Sequence, residues 1–512
     1  MFKRTKKEPD FSEAVEAFNQ GLTALPVSDA VDDNVDLMKR LFENVDIMRY
    51  RFVAKDGDRA YAIVFSDGMV DAAVINEHIL QPLMSAPAQI RDKDLMKRLT
   101  AEVVQVGEAE LTGEFKKIVG AVTYGDTVLF ADGCAEAAIL NTKSFALRSI
   151  DEPDSEKSLL GPREGFTESM TQNVSMLRRR ARTNDLKIRQ MSFGKKTRTS
   201  AVICYFDSVV TRRVLDDLLK RLEGIDIDGV LDTNYLAELI REHRFSLFRT
   251  IGYTERPDTV IGRLLEGRVA IVLDGTPMAL TLPYLFIENF QSSEDYYMSF
   301  YYGSFSRMLR MLGFLMTITV PGLYIAIVAF QHEMLPTPLL INVTAERQSV
   351  PLPAAVEAFV MLTAFDILRE TGVRMPNNIG QALSIVGALV VGQAAVEAKL
   401  VAAPMIIVVA ITGITGLLVP KLNAPAIYLR LFVLLMSSMF GFFGLTISLS
   451  LILVHLIALD SFGIPLVSLD GGTRLQQTKD IAIRAPWWTM ILRPTALTGN
   501  RTRMKPGGGG HA

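Results

Sequence analysis

The stretch MLGFLMTITVPGLYIAIVAF, Met311 to Phe330, is twenty residues without a charge. Wound as a helix it spans about 30 Å, the hydrocarbon thickness of a bilayer. Outward from this span the chain divides in two. From Met375 to Leu459 the only formally charged residues are Glu397, Lys399, Lys421 and Arg430, whereas nearly everything before Arg310 reads as a charged soluble protein. That segregation is how a chain with 21% charged residues keeps a positive mean hydropathy, and it excludes a single soluble globule. The 512 residues carry 54 basic and 56 acidic side chains, a balance that argues against nucleic acid as partner.

Two cysteines, Cys134 and Cys204, are too few for a disulfide framework or a four-ligand zinc site and read as buried thiols in a reducing compartment. The basic start, Met1 to Asp10, is followed by no apolar run, so no signal peptide is read there and the soluble part is expected in the cytoplasm. Within that part, Ala62-Ile63-Val64-Phe65-Ser66-Asp67-Gly68 is a strand ending at an Asp-Gly turn, followed by a helical pattern through Val74, Ile75, Ile79 and Leu80. The passage returns as Ala201 to Asp207, followed by Val214, Leu215, Leu218, Leu219 and Leu222. A second pair repeats in the same order: Gly125 with Asp132-Gly133, and Gly267 with Asp274-Gly275. The offsets, 140 and 142, point to an internal duplication.

The expected layout is an N-terminal extension 1-34, an α/β lobe 35-150, a linker and connecting helix 151-184 with its polar joint Asp151 to Lys157, a second α/β lobe 185-306, an all-α membrane domain 307-462 and a basic cytoplasmic tail 463-512. Past the joint, Met176 to Arg182 is a basic cluster, read as a solvated helix face or as a contact for headgroups or a neighbouring subunit.

In the membrane half, Pro321 removes one backbone bond at the middle of the first span, so a kink is expected there. Arg307 and Arg310 precede it, and by the positive-inside bias the soluble part is cytoplasmic. Ile379 to Val396, Leu400 to Pro420 and Leu431 to Leu459 complete four spans. Between the first and second, Pro351 to Glu370 carries Glu357 and Asp366 half a turn out of phase and reads as re-entrant or interfacial; as a fifth span it would place the basic tail outside. Gly380, Ser384, Ala388 and Gly392 recur at four-residue steps, a small-residue face for close helix packing, with Gly387 beside it. His455, the lone titratable group of the last run, reads as a packing residue.

No phosphate-binding loop, zinc-protease helix, nucleophile elbow or dinucleotide fingerprint is present, so neither an enzyme nor a cofactor is expected. Several ordered strings then narrow the reading: Gly161 to Glu168, Thr254 to Asp258, Leu265 to Ala270, Asp274 to Pro277, Ser293 to Tyr297, Ile367 to Pro376 and Gly380 to Val396. Together, from about Asn34 to Arg503, they resemble the GerA family, the A subunits of the germinant receptors of endospore-forming bacteria. One departure is Arg347-Gln348-Ser349-Val350-Pro351, where the family commonly has Arg-Glu-Gly-Val-Pro. The resemblance implies a protein of the inner spore membrane acting with a permease-like B subunit and a lipoprotein C subunit, sensing nutrients and oligomerising into an ion conduit.

Two functional readings follow. One is a gated conduit built from several copies in the lipid bilayer, with the lobes as gating module. The other is a non-conducting scaffold that passes a conformational change to partner subunits. A self-sufficient transporter is third, since four spans without an inverted repeat leave little room for a midplane site. Candidate pore or helix-packing residues are Glu357, Asp366, Gly380, Gln381, Ser384, Gly387, Ala388, Gly392, Gln393 and Glu397. Candidate gating or interlobe residues are Arg163, Glu164, Arg178, Arg179, Glu255, Arg256, Asp258, Glu294 and Asp295. Glu357 and Asp366 are expected to form a cation-favouring ring, unless Asp366 pairs with Arg369 or Arg374 and only fixes its helix.

Overall fold

Strand β1 (Met48–Lys55) forms a hairpin with β2 (Asp58–Ser66), and β2 pairs with β4 (Thr127–Ala131). Then β4 pairs with β5 (Ala137–Leu140), whose other edge takes β3 (Ala109–Thr112). All four pairings are antiparallel. Both faces of this sheet are covered. Ala62, Val64, Val128 and Phe130 meet the Val31–Leu41 and Phe115–Thr123 helices. Tyr61, Ile63 and Leu129 meet the helical segment that begins at Val74–Leu80. Burial on two sides is why β4 reads as an unbroken apolar run although its neighbours are antiparallel.

The second sheet repeats the first. Its strands are β6 (Leu186–Phe193), β7 (Thr199–Phe206), β8 (Gly252–Thr254), β9 (Val269–Leu273) and β10 (Ala279–Leu282), in the order β6-β7-β9-β10-β8 against β1-β2-β4-β5-β3. The two Asp-Gly turns occupy the same place, between β4 and β5 and between β9 and β10.

The duplication extends to single hydrogen bonds. Asn34 accepts from Ser28 N and donates to Ser28 O; Asn173 does the same with Thr167. The Gly133 amide donates to Asp29 O, and the Gly275 amide to Glu168 O. Asp132 accepts from Val31 N at 3.5 Å and Asp274 from Met170 N at 3.0 Å, so each turn's aspartate caps the N-terminus of the helix that opens its lobe. The lobes join through the parallel bridge of Val45 to Ile188, with Asp46 N donating to Ile188 O at 2.9 Å and Gln190 N to the Asp46 carboxylate at 2.7 Å.

These statements come from a computed structural model, which describes residues 25–55, 58–85, 95–144, 156, 160–374, 387, 390–467, 480–481, 483–494, 497–499 and 502–503. The chain divides into two units. One, holding both sheets, is Met1–Arg241 with Ile251–Pro283 and Arg493–Thr502; the other is Glu242–Thr250 with Tyr284–Leu492 and Arg503–Ala512.

The second unit is helical. Phe300–Ala329 runs through Pro321 as one helix, capped by the Ser299 hydroxyl. Thr337–Gln348, Ala354–Arg374, Ala403–Leu417 and Asn423–Ala458 follow. Phe300–Ala329 and Pro420–Ala458 are long and apolar enough to cross a membrane. The expected last span, Leu431 to Leu459, lies up to Ala458 within the second of these and is broken. At Gly441 the backbone takes φ 59° and ψ −137°, which splits the helix. A Cβ placed on Gly444 would lie 2.0 Å from Met436 O, although eight residues of straight helix separate two atoms by about 12 Å. The chain therefore turns back on itself at Gly441. Only glycine accepts that backbone readily, and its Cβ position is already filled by the Phe330 ring.

Candidate functional site

Several charges of the helical unit are buried in pairs. Asp295 sits in a single-turn helix whose capping box it completes, accepting from Ser292 N. Its carboxylate takes Arg307 Nε at 3.3 Å and also Arg310, both from the first turns of the Phe300–Ala329 helix. Arg307, with none of its surface exposed, reaches Asp480 at 2.9 Å as well, and Tyr296 donates to Asp480 at 2.7 Å. The two arginines that precede the span are thus matched by carboxylates within the same unit.

A second cluster lies among the apolar helices. Asp366 on Ala354–Arg374 accepts from Arg430 Nη2 at 2.5 Å and lies 3.3 Å from Arg369 Nη2. Arg430, on the first half of the broken helix, is 2% exposed. Glu357, one turn into the same helix, accepts from Ala402 N at 3.0 Å and lies 3.8 Å from Arg347. Ala402 is the residue that starts Ala403–Leu417, so this carboxylate stands at a helix N-terminus, where the macrodipole favours it. Neither acid is bare within the single chain: Asp366 pairs with Arg369, as the pairing alternative expected, and with Arg430, which it did not. The Arg347 segment with its altered string closes a turn through Val350 N to Arg347 O at 3.1 Å.

The other expected residues fall as follows. Gly387 approaches Leu368, whose Cδ2 would lie 3.0 Å from an added Cβ, while Gly392 has Ile406 at an ordinary 3.7 Å. Gln393 donates to Glu397 at 2.9 Å on an exposed face. Gly380, Gln381, Ser384 and Ala388 lie outside the described residues.

In the unit of sheets, Glu164 clasps Arg179 and Arg180. Burial pushes its carboxyl up, but the two guanidiniums outweigh that and hold it below the ordinary value. Arg178 is buried against β7 and donates to Thr183 O at 2.8 Å; burial lowers its guanidinium to about 10 and raises the neighbouring Cys204 thiol to about 12. The basic cluster is therefore mostly engaged, and Arg182 covers the Tyr124 ring of the first lobe at 3.5 Å. Arg256 grips Asp258 with two bonds of 3.1 and 2.9 Å and also donates to Pro162 O and Glu156 O. Glu156 takes Thr254 Oγ1 and Glu255 N on its carboxylate, so this residue of the expected solvated joint packs onto the second lobe. Arg163 is exposed and Glu294 partly so. The bonds joining the lobes come from Asn44, Asp46, Asn184 and Gln190 instead. Sequence reasoning missed Arg430 as the partner of Asp366; the signal was its standing alone in an apolar run, where a charge needs a counter-charge. Glu242, His243 and Asp460 bring ligand atoms within 4.8 Å of one another, but His243 is bonded to Asp460 at 2.5 Å and Glu242 accepts from Phe462 N, which accounts for the trio.

The sequence matches, over residues 35–496, the family model described as Bacillus/Clostridium GerA spore germination protein. The chain belongs to the GerA family. Among relatives of this GerA-family chain, the spore germination protein KA of Bacillus subtilis is 40% identical over 85% of this chain and 80% of its own. An uncharacterized membrane protein of the same organism, YfkQ, is 39% identical over 93% of both, and the B. subtilis spore germination protein B1 is 34% identical over 92% of this chain and 98% of its own. A crystal structure of the N-terminal domain of the A subunit of the Bacillus megaterium spore germinant receptor GerK3 is 30% identical and covers 52% of this chain and 98% of that one, with a TM-score of 0.42.

Proposed function

We propose that this GerA-family chain is the A subunit of a nutrient-responsive germinant receptor of the inner spore membrane, whose copies assemble into a gated ion conduit. A permease-like B subunit and a lipoprotein C subunit are its partners in this reading, and the unit of sheets faces the spore core. The observation that carries the proposal is the Asp366–Arg430 pair, which ties the Ala354–Arg374 helix to the first half of the broken helix among apolar neighbours. Separating a buried pair leaves two charges that each require water, so rupture and hydration are one event. Closed, the pair is a lock; opened, one freed Asp366 per copy favours cations at the constriction.

The matching of both acids within one chain also favours the second reading, a scaffold in which the pairs only brace helices. Ion flux through liposomes holding the purified protein, with its oligomeric mass measured alongside, separates the two. The conduit reading expects Asp366→Asn and Arg430→Gln each to raise basal flux at least several-fold, the exchange Asp366→Arg with Arg430→Asp to restore tightness, and the reversal potential under a salt gradient to show cation preference that Asp366→Asn loses. Flux equal to empty liposomes in every variant establishes the scaffold.

A further inference from the structure

The two lobes close by different means. In the first, the chain leaving β5 comes back along the strand-to-helix turn: Ser144 N donates to Met69 O at 3.1 Å, Asp71 N to Thr142 O at 2.8 Å, and Val70 bridges Lys143. Gly125, at φ +95°, leaves room for this, since an added Cβ would lie 2.7 Å from Met69 O. Shifted by 140 to 142 residues, the same frame reappears as Val209, Val210, Thr211 and Gly267. Gly267 has φ +94°, and an added Cβ would lie 2.9 Å from Val209 O. Here, however, the chain after β10 passes Pro283 and enters the other unit, so nothing local returns to the turn.

The place is taken by the far end of the chain. Thr498 Oγ1 donates to Val209 O, and Thr211 Oγ1 donates to Leu497 O at 2.7 Å. An added Cβ on Gly267 would lie 2.7 Å from Thr498 Cβ and 3.2 Å from Leu497 O. Leu497 is fully buried and Thr498 nearly so. Arg493 reinforces the seat by donating to Leu265 O at 2.7 Å.

We propose that Leu497 and Thr498, with Arg493, act as a surrogate closing segment: the second lobe carries a binding slot at Val209–Thr211 and Gly267 whose occupant is these residues of the chain's own C-terminal part. What local sequence does for the first lobe, residues nearly 300 positions away do for the second. Closure of the second lobe then depends on chain that emerges after the apolar helices. The proposal stands independently of the conduit reading.

Hydrogen–deuterium exchange on the full-length chain in detergent tests it, with the first lobe as internal control. A chain ending at Leu492 should exchange at least tenfold faster than the parent at residues 206–212 and 264–268, with 66–72 and 123–127 unchanged. A synthetic peptide of residues 490–503 added in trans should restore the lost protection. The pair Thr211→Val and Thr498→Val, which keeps the whole chain, should give a smaller increase at the same places. Unchanged exchange at 206–212 in the truncated and the double-valine chains overturns the proposal. So does an increase of equal size in both lobes, which reports general loosening instead of an empty slot.

Discussion

The two lobes carry opposite charges at one buried position. After the left-handed glycine, the first lobe has Asp126 and the second, at the offset of 142, has Arg268. Both are buried, and each meets an opposite charge: Asp126 takes Lys143 at 3.0 Å, and Arg268 lies 3.4 Å from Glu266. The charge is reversed in an unchanged backbone frame. The hydrogen bonds of Asn34 and Asn173 are the same in both lobes, where one side-chain amide accepts from a backbone N–H and donates to the carbonyl of the same residue. A buried charge is free to change sign, provided its partner changes with it. The second lobe also buries Arg178 and Arg256, whereas the first keeps Lys39, the counterpart of Arg178 at an offset of 139, on the surface.

The largest test of this contrast is Arg268→Ala against Asp126→Ala. Removing Arg268 empties the space of a side chain that is 2% exposed and takes the nearer of two guanidiniums from Glu266, which keeps Arg263 at 3.7 Å, so a loss of about 2–3 kcal/mol is expected. Asp126→Ala leaves Lys143, which is 27% exposed and can turn to water, so a loss of about 1 kcal/mol or less is expected. The midpoint of thermal unfolding in detergent reads both. Equal losses would show that the two sites carry the same weight and that the reversal of sign has no energetic consequence.

Much of this was legible in the text of the sequence, and the reason is locality. The strands ending at Asp67 and Asp207, and the two Asp-Gly turns, are patterns of under ten residues. The duplication is therefore readable from short stretches of the chain. What stayed hidden is what distance in sequence hides. The Asp366–Arg430 pair joins residues 64 apart, and Thr498 meets Val209 across 289. Gly441 lies in an apolar run where glycine is an ordinary packing residue, so the reversal there left no mark distinguishing it from Gly444 three residues later. The partners of Arg307 and Arg310 stayed hidden for a related reason: an arginine before a span looks the same whether it meets headgroups or a carboxylate supplied from residue 295 or 480.

The helix caps give a smaller test that should make the lobes behave alike. Asp274→Ala removes the acceptor for Met170 N at 3.0 Å and should cost about 1 kcal/mol; Asp132→Ala, whose bond to Val31 N is 3.5 Å long, should cost less. Circular dichroism through thermal unfolding gives the ranking. A larger loss for Asp132 would mean that the two turns, though placed alike, do not perform the same task.

The smallest effect, and the one that separates the lobes by sign alone, is the response to acid. Burial holds the Asp126 carboxyl above its ordinary value despite Lys143, so the folded state binds this proton more readily than the unfolded chain. Its contribution is present at low pH and is lost as pH rises through the folded value. Glu164 behaves oppositely. Its two arginines hold it below the ordinary value, so its contribution is present above that value and is lost as pH falls through the folded one. Asp126→Asn removes an ionised group that burial disfavours, so this variant should be more stable than the parent at neutral pH and converge on it in acid. Glu164→Gln removes a paired carboxylate and should be less stable at neutral pH, converging from below over the acid side of the carboxylate range. Thermal midpoints between pH 3 and pH 7 trace both curves. Two variants approaching the parent from the same side would refute the assignment of opposite charge environments to the lobes, whatever the size of the shifts.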